Sequence, residues 1–259
     1  MSQGRIGGRT QGRHRSYAAG KRSPKASRCY AGPEARQDLG VPGEALSAGV
    51  ASRRYDRESP QFSRVANLSD GVFAIALTLL VLTLDRPEVP AAELPQALIG
   101  QLPQLGVFAL GFLLIANVWW FHHRLFGLLK SVESGMIVIN LALLGAVALL
   151  PYPTNVLGHA PTATAAVVQF TAAFIFLTLL YLGLLLRAQA VQAWLQPVPP
   201  ETFAWITGSW LLSTGILIVA LVLAFWSPII ALIILAMSGL LVGVTMALTA
   251  PPAYGEWGL

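Results

Sequence analysis

The chain has 259 residues, of which 55% are hydrophobic and 11% charged, with a formal net charge of +5. A soluble domain carries about a quarter charged residues, so this composition excludes an ordinary water-soluble globule and points to a chain that crosses a lipid bilayer. The net positive charge describes one end rather than the whole: thirteen of the seventeen Lys and Arg lie at or before Arg64, and only Arg86, Arg124, Lys130 and Arg187 follow.

Residues 1–60 are rich in Gly, Arg, Ser and Ala and show no sustained periodicity, which predicts a disordered, solvated basic tail with no nucleic acid partner. It is basic but has no apolar core in its first thirty residues, so it is not a cleavable secretory signal. The lone cysteine, Cys29, lies in it, which rules out a disulfide or a cysteine metal cluster within one chain.

The body, residues 61–250, holds six apolar segments, at about 68–84, 105–123, 135–150, 163–186, 203–225 and 228–248. A helix needs about 20 apolar residues to cross the hydrocarbon core, with about 17 to 25 tolerated. None of these runs alternates with a period of two, so a membrane β-barrel is excluded and an all-α integral membrane protein of six spans is predicted. The third span is short and reads as closed by Pro151. Residues 251–259 form a short C-terminal tail.

Basic residues close to spans stay in the cytosol. Arg53, Arg54, Arg57 and Arg64 precede the first span, Arg124 and Lys130 follow the second, and Arg187 follows the fourth. The loop at 85–100 holds Asp85, Glu88 and Glu93 against Arg86 alone, and residues 151–162 hold no Lys or Arg. A multi-pass protein of the cell inner (plasma) membrane with both termini cytoplasmic satisfies all of these positions.

The first span carries a carboxylate, Asp70, and no further acid or base until Asp85. A charge at a helix centre costs about 2.5 to 3.5 kcal/mol on insertion scales, so Asp70 is expected to face protein or a watery cavity and to have a partner. Arg64, six residues earlier, is one candidate; His122, His123 and Asn140 are others, because neighbouring spans bring them to the same membrane depth. The competing reading makes Asp70 or Ser69 an acid or cap of the first helical turn. His122 and His123 are neighbours and point about 100° apart, so they do not chelate one ion as an i, i+4 pair would.

On a helical wheel Gly71, Ile75, Thr78 and Leu82 fall on one narrow stripe, with Asp70, Ala74, Leu77 and Val81 beside it. Set about a symmetry axis, such a stripe would make apolar constrictions at Ile75 and Leu82 and a ring of hydroxyls at Thr78. Constrictions of this kind gate by dewetting, and oxygen rings replace water around a cation. Set against lipid or a core, the same stripe is ordinary packing.

The run RVANLSDGVFAIALTLLV, residues 64–81, resembles the signature of the transmembrane protein 175 family in its bacterial branch. Two later blocks are similar to that family's, NVWWFHHRLF at 117–126 and INLALLGAVALLPYPTNVLG at 139–158. Two positions depart from the pattern: Leu68 stands where the motif has phenylalanine, and Ile75 where the pore often has leucine. The resemblance implies a potassium-preferring cation channel of passive, leak type, with proton permeation as a secondary property. It implies a homotetramer of six-helix protomers in which the first helix lines the pore, with rings at Ile75, Thr78 and Leu82. It also implies a structural polar network of Arg64, Ser69 and Asp70 with Trp119 or Trp120, His122 or His123, and Asn140. The expected partners are the bilayer, permeating K⁺ and three further copies. No cofactor, no resident metal and no enzymatic turnover are implied. The chief rival is a secondary transporter of a small solute or ion, though the two halves lack the matching Gly/Pro-interrupted segments such proteins often show. Two further rivals are an intramembrane enzyme built on His122, His123 and Asp70, and a scaffold without transport.

Overall fold

The computed structural model describes residues 53–251; most of the basic tail and nearly all of the C-terminal tail lie outside them. The order is β1 (Arg54–Asp56), α1 (Pro60–Leu79) running on as a 3₁₀ turn (Leu80–Thr83), α2 (Leu94–Gly100), α3 (Leu102–Leu128), β2 (Ser131–Glu133), α4 (Ser134–Leu149), α5 (Pro151–His159), α6 (Thr164–Ala190), α7 (Pro200–Leu223) and α8 (Pro228–Thr249). Among the described residues, six stretches are long and apolar enough to cross a membrane: Pro60–Thr83, Leu102–Leu128, Ser134–His159, Thr164–Ala190, Pro200–Leu223 and Pro228–Thr249. This is a multi-pass membrane protein built from helices.

Local chemistry sets the helix ends. Ser59 caps α1, its Oγ accepting from Phe62 N–H, and Pro60 occupies the first helical position, where a missing N–H costs nothing. The helix therefore starts well before the apolar run does. The third span differs more. Pro151 does not close it: α5 begins there and carries the apolar stretch to His159. The proline cannot bond Val147 O, which instead accepts from Leu150 N–H at 3.1 Å, while Leu150 O accepts from both Thr154 N–H and Thr154 Oγ1. The break is local, with both of these carbonyls satisfied and Leu150 still in helical backbone geometry, and it does not end the span.

α6 is the most buried of the six spans and packs against α4, α5, α7 and α8. α1 packs on α3 and α4, α3 on α5, and α7 on α8. α1 turns Phe62, Ser69, Phe73, Ala76 and Leu80 inward; the last four repeat at i, i+4, i+7 and i+11, one helical face.

Residues assigned to the tail from the sequence take part in the fold. β1 pairs antiparallel with β2, Arg54 opposite Glu133. Arg57 Nη1 donates to the carbonyls of Gly127 at 2.7 Å and Leu129 at 3.0 Å, which closes the C-terminal end of α3 with a cation where the helix dipole favours one. Buried Glu133 pairs with Arg187 of α6. Arg57→Ala is expected to lower stability by about 1 kcal/mol, the scale of a lost charged cap. A thermal melt of the purified protein in detergent reads this as a reduced midpoint.

Candidate functional site

α1 divides its side chains between two environments. On its inner face Ser69 is 1% exposed and forms a directed chain of hydrogen bonds with two other helices. His122 Nε2 of α3 donates to Asn140 Oδ1 of α4 at 2.8 Å. Asn140 Nδ2 donates to Ser69 Oγ at 3.0 Å, and Ser69 Oγ donates to Val65 O at 2.9 Å. Asn140 Oδ1 only accepts, so the His122 proton on this side sits on Nε2. Each of the three bonds matches a donor to an acceptor, and they link α3, α4 and α1 in one run. The His122 ring lies 4.6 Å from that of Phe126 and 5.3 Å from that of Phe73.

A second, wetter node lies beside it. Trp119 Nε1 donates to Asp70 Oδ1 at 3.0 Å, and His123 Nδ1 stands 3.8 Å from the same oxygen. The Trp119 and His123 rings are 5.5 Å apart. A cavity of about 270 Å³ lined by Arg57, Phe62, Asp70, His122, His123 and Phe126 opens onto this node.

The structure therefore brings Ser69, Asp70, Trp119, His122, His123 and Asn140 together, in two nodes rather than one. The doubled residues of the sequence split cleanly. His122 takes the buried node and His123 the wet one; Trp119 bonds Asp70, while Trp120 points away and stacks under Arg124 at 5.1 Å. Arg64 joins neither node; its side chain is exposed. The capping reading of Ser69 and Asp70 is overturned, because α1 begins at Pro60 and its cap is Ser59.

The other face of α1 is uncovered. Ile75 is 59% exposed and Leu82 73%, and Gly71 and Thr78 are exposed between and beside them. Thr78 Oγ1 donates its hydrogen back to Ile75 O at 2.9 Å, which leaves the hydroxyl lone pairs outward. A shallow groove bordered by Ala74, Leu77, Thr78, Val81 and Phe112 runs alongside.

Residues 64–151 match the profile of the family described as the endosomal/lysosomal potassium channel TMEM175. A potassium channel of Chamaesiphon minutus is 30% identical over 177 residues, which cover 66% of this chain and 87% of that protein. The chain belongs to the TMEM175 family. A potassium channel of Streptomyces collinus is 39% identical over 100 residues, 37% of this chain; the match spans about half (47%) of that relative's own length. The crystal structure of a lysosomal potassium-selective channel TMEM175 homologue from Chamaesiphon minutus superposes with a TM-score of 0.65 at 25% identity, covering 72% of this chain and 98% of that one. Its coverage extends the likeness beyond the three sequence blocks to most of the six-span body of this TMEM175 protein.

Sequence reasoning missed a second polar assembly at the far end of α1. Thr83 O accepts from Gln104 Nε2 at 2.9 Å and from Asn155 Nδ2 at 3.4 Å, and Asp85 meets Gln104, Gln101 and His159. The available signal was Gln104 itself, an amide at the start of an apolar span.

Proposed function

We propose that this TMEM175 protein is a passive, potassium-preferring cation channel whose conduction path is lined by the uncovered face of α1 in a homotetramer. The observation that carries this reading is the division of α1. One face is anchored to α3 and α4 by hydrogen bonds, and the opposite face leaves Ile75, Thr78 and Leu82 largely uncovered by the described residues. Four copies turned inward on this face put two apolar rings around a ring of threonine oxygens. The apolar rings exclude bulk water and strip a permeating ion; the oxygens, their hydrogens turned back, offer lone pairs to it. The names of the bacterial relatives support potassium as the ion. Proton permeation is a secondary property of the same path.

The distribution of basic residues supports an orientation with both termini on the cytoplasmic side of the bacterial inner membrane, the two-node network near that side and Thr83 near the outer one. The mechanism needs no cofactor and no reaction step: an ion moves down its gradient through a dewetting constriction. Purified protein in planar bilayers under opposed potassium and sodium gradients is expected to give unitary currents reversing toward the potassium potential. Flux that saturates with solute and comes without unitary current would replace the channel by a transporter. Mass measurement of the solubilised particle is expected to give four chains.

A further inference from the structure

We infer that Gln104 is a positioning residue for the conduction path: from α3 it grips the backbone directly after Leu82 and so sets the width of the outermost apolar ring. The inference rests on the pore reading above.

The outer end of α1 is chemically weak. The last carbonyls of a helix have no partner within it, and here the helix tightens into a 3₁₀ turn over Leu80–Thr83 before Leu84 turns extended. The Leu82 side chain points away from the protomer, 73% exposed, so its own packing does not hold it. What holds this end is Gln104, only 8% exposed. Its Nε2 donates to Thr83 O at 2.9 Å and to Asp85 Oδ2 at 3.2 Å, and its Oε1 accepts from Asp85 N–H at 3.4 Å. One planar amide thus satisfies a donor and an acceptor on either side of Leu84, a grip that fixes direction as well as distance. Asn155 Nδ2 of α5 reaches the same Thr83 carbonyl at 3.4 Å, and Thr83 Oγ1 ties back to Leu80 O at 2.7 Å. Gln104 is itself immobilised: Gly158 approaches so closely that a Cβ there would stand 3.2 Å from Gln104 Cγ. The chain of constraint runs from α5 through Gln104 to the residue next to the ring.

The test compares Gln104→Met, which keeps length and packing but removes the amide, with Leu82→Asn in the same bilayers. Gln104→Met is expected to lower the potassium-to-sodium permeability ratio by about threefold and to raise unitary conductance, with four chains still assembled; that factor is the scale of one net hydrogen bond. Asn155→Ala, which removes the weaker of the two donors to Thr83 O, is expected to shift both quantities the same way by less, and supplies the test if Gln104→Met does not assemble. A merely structural role would reduce yield and leave both quantities as they are. If Leu82→Asn alters permeation while Gln104→Met and Asn155→Ala do not, Gln104 does not set the ring and the inference fails alone. If Leu82→Asn is also silent, the pore reading fails and takes the inference with it.

Discussion

Leu82→Asn is expected to raise unitary conductance several-fold and to move the potassium-to-sodium permeability ratio toward one. The side chain is 73% exposed at the end of α1 and has little packing to lose, so folding should change little. In the proposed tetramer its effect is multiplied by four. An apolar constriction is impassable when it dewets; an amide at each position hydrogen-bonds water and keeps the constriction wet. A wet ring lets an ion keep its hydration shell, and an ion that keeps its shell is not sorted by size. Ile75→Asn, two turns earlier on the same stripe and 59% exposed, is expected to act in the same direction. Both are read by bilayer recording under bi-ionic gradients. Unaltered reversal potential and conductance in both variants would remove Ile75 and Leu82 from the path.

Asn140→Leu is expected to act on the other property, assembly. Asn140 is 1% exposed and holds both central bonds of the buried chain. Leucine has nearly its size but leaves His122 Nε2–H without an acceptor and Ser69 Oγ without its donor. An orphaned buried polar group costs about 1–3 kcal/mol. Interhelical bonds in membranes average about 0.6 kcal/mol, because the dissociated helices find other partners. One orphaned donor at His122, together with the bond lost at Ser69, whose hydroxyl still donates to Val65 O, puts the total at about 2 kcal/mol. The expected result is a lower thermal midpoint and a reduced tetramer yield, with reversal potential unchanged in the channels that form. Asp70→Ala should follow in the same direction by less, since the carboxylate is half-exposed and water can replace it as acceptor for Trp119 Nε1–H. A normal yield with altered ion preference in Asn140→Leu would mean that the network faces the path.

Much of this architecture was legible in the residues. The six spans follow from runs of apolar side chains, which need no knowledge of neighbours. Their ends were less legible, and for one reason: hydropathy marks where a helix must be greasy, while hydrogen bonds decide where it starts and stops. Ser59 and Pro60 start α1 in polar sequence, and Pro151 begins α5 inside a span that composition alone ends there. β1 escaped notice because three residues of strand, RYD, carry no periodicity, and their pairing partner lies far along the chain at Ser131–Glu133.

The candidate site divides in the same way. The motif at 64–81 marked Ser69 and Asp70, and helical spacing marked Gly71, Ile75, Thr78 and Leu82 as one stripe. Which stripe is buried is a question about neighbours, and only packing against α3 and α4 answers it. The adjacent pairs His122/His123 and Trp119/Trp120 are alike in composition; about 100° of helix separates their members, and that rotation alone sends one to Asn140 or Asp70 and the other toward water or Arg124. Arg64 and Gln104 exchange importance for a related reason. The motif contains Arg64, yet its side chain lies outside both nodes, whereas Gln104, outside the motif, closes over a carbonyl 21 residues away. By itself, the sequence determined that the chain crosses a membrane on helices, because burial in lipid is a property of each segment alone. The tertiary structure decided which faces of those helices are anchored and which are left open, because a hydrogen bond between helices exists only once both are in place.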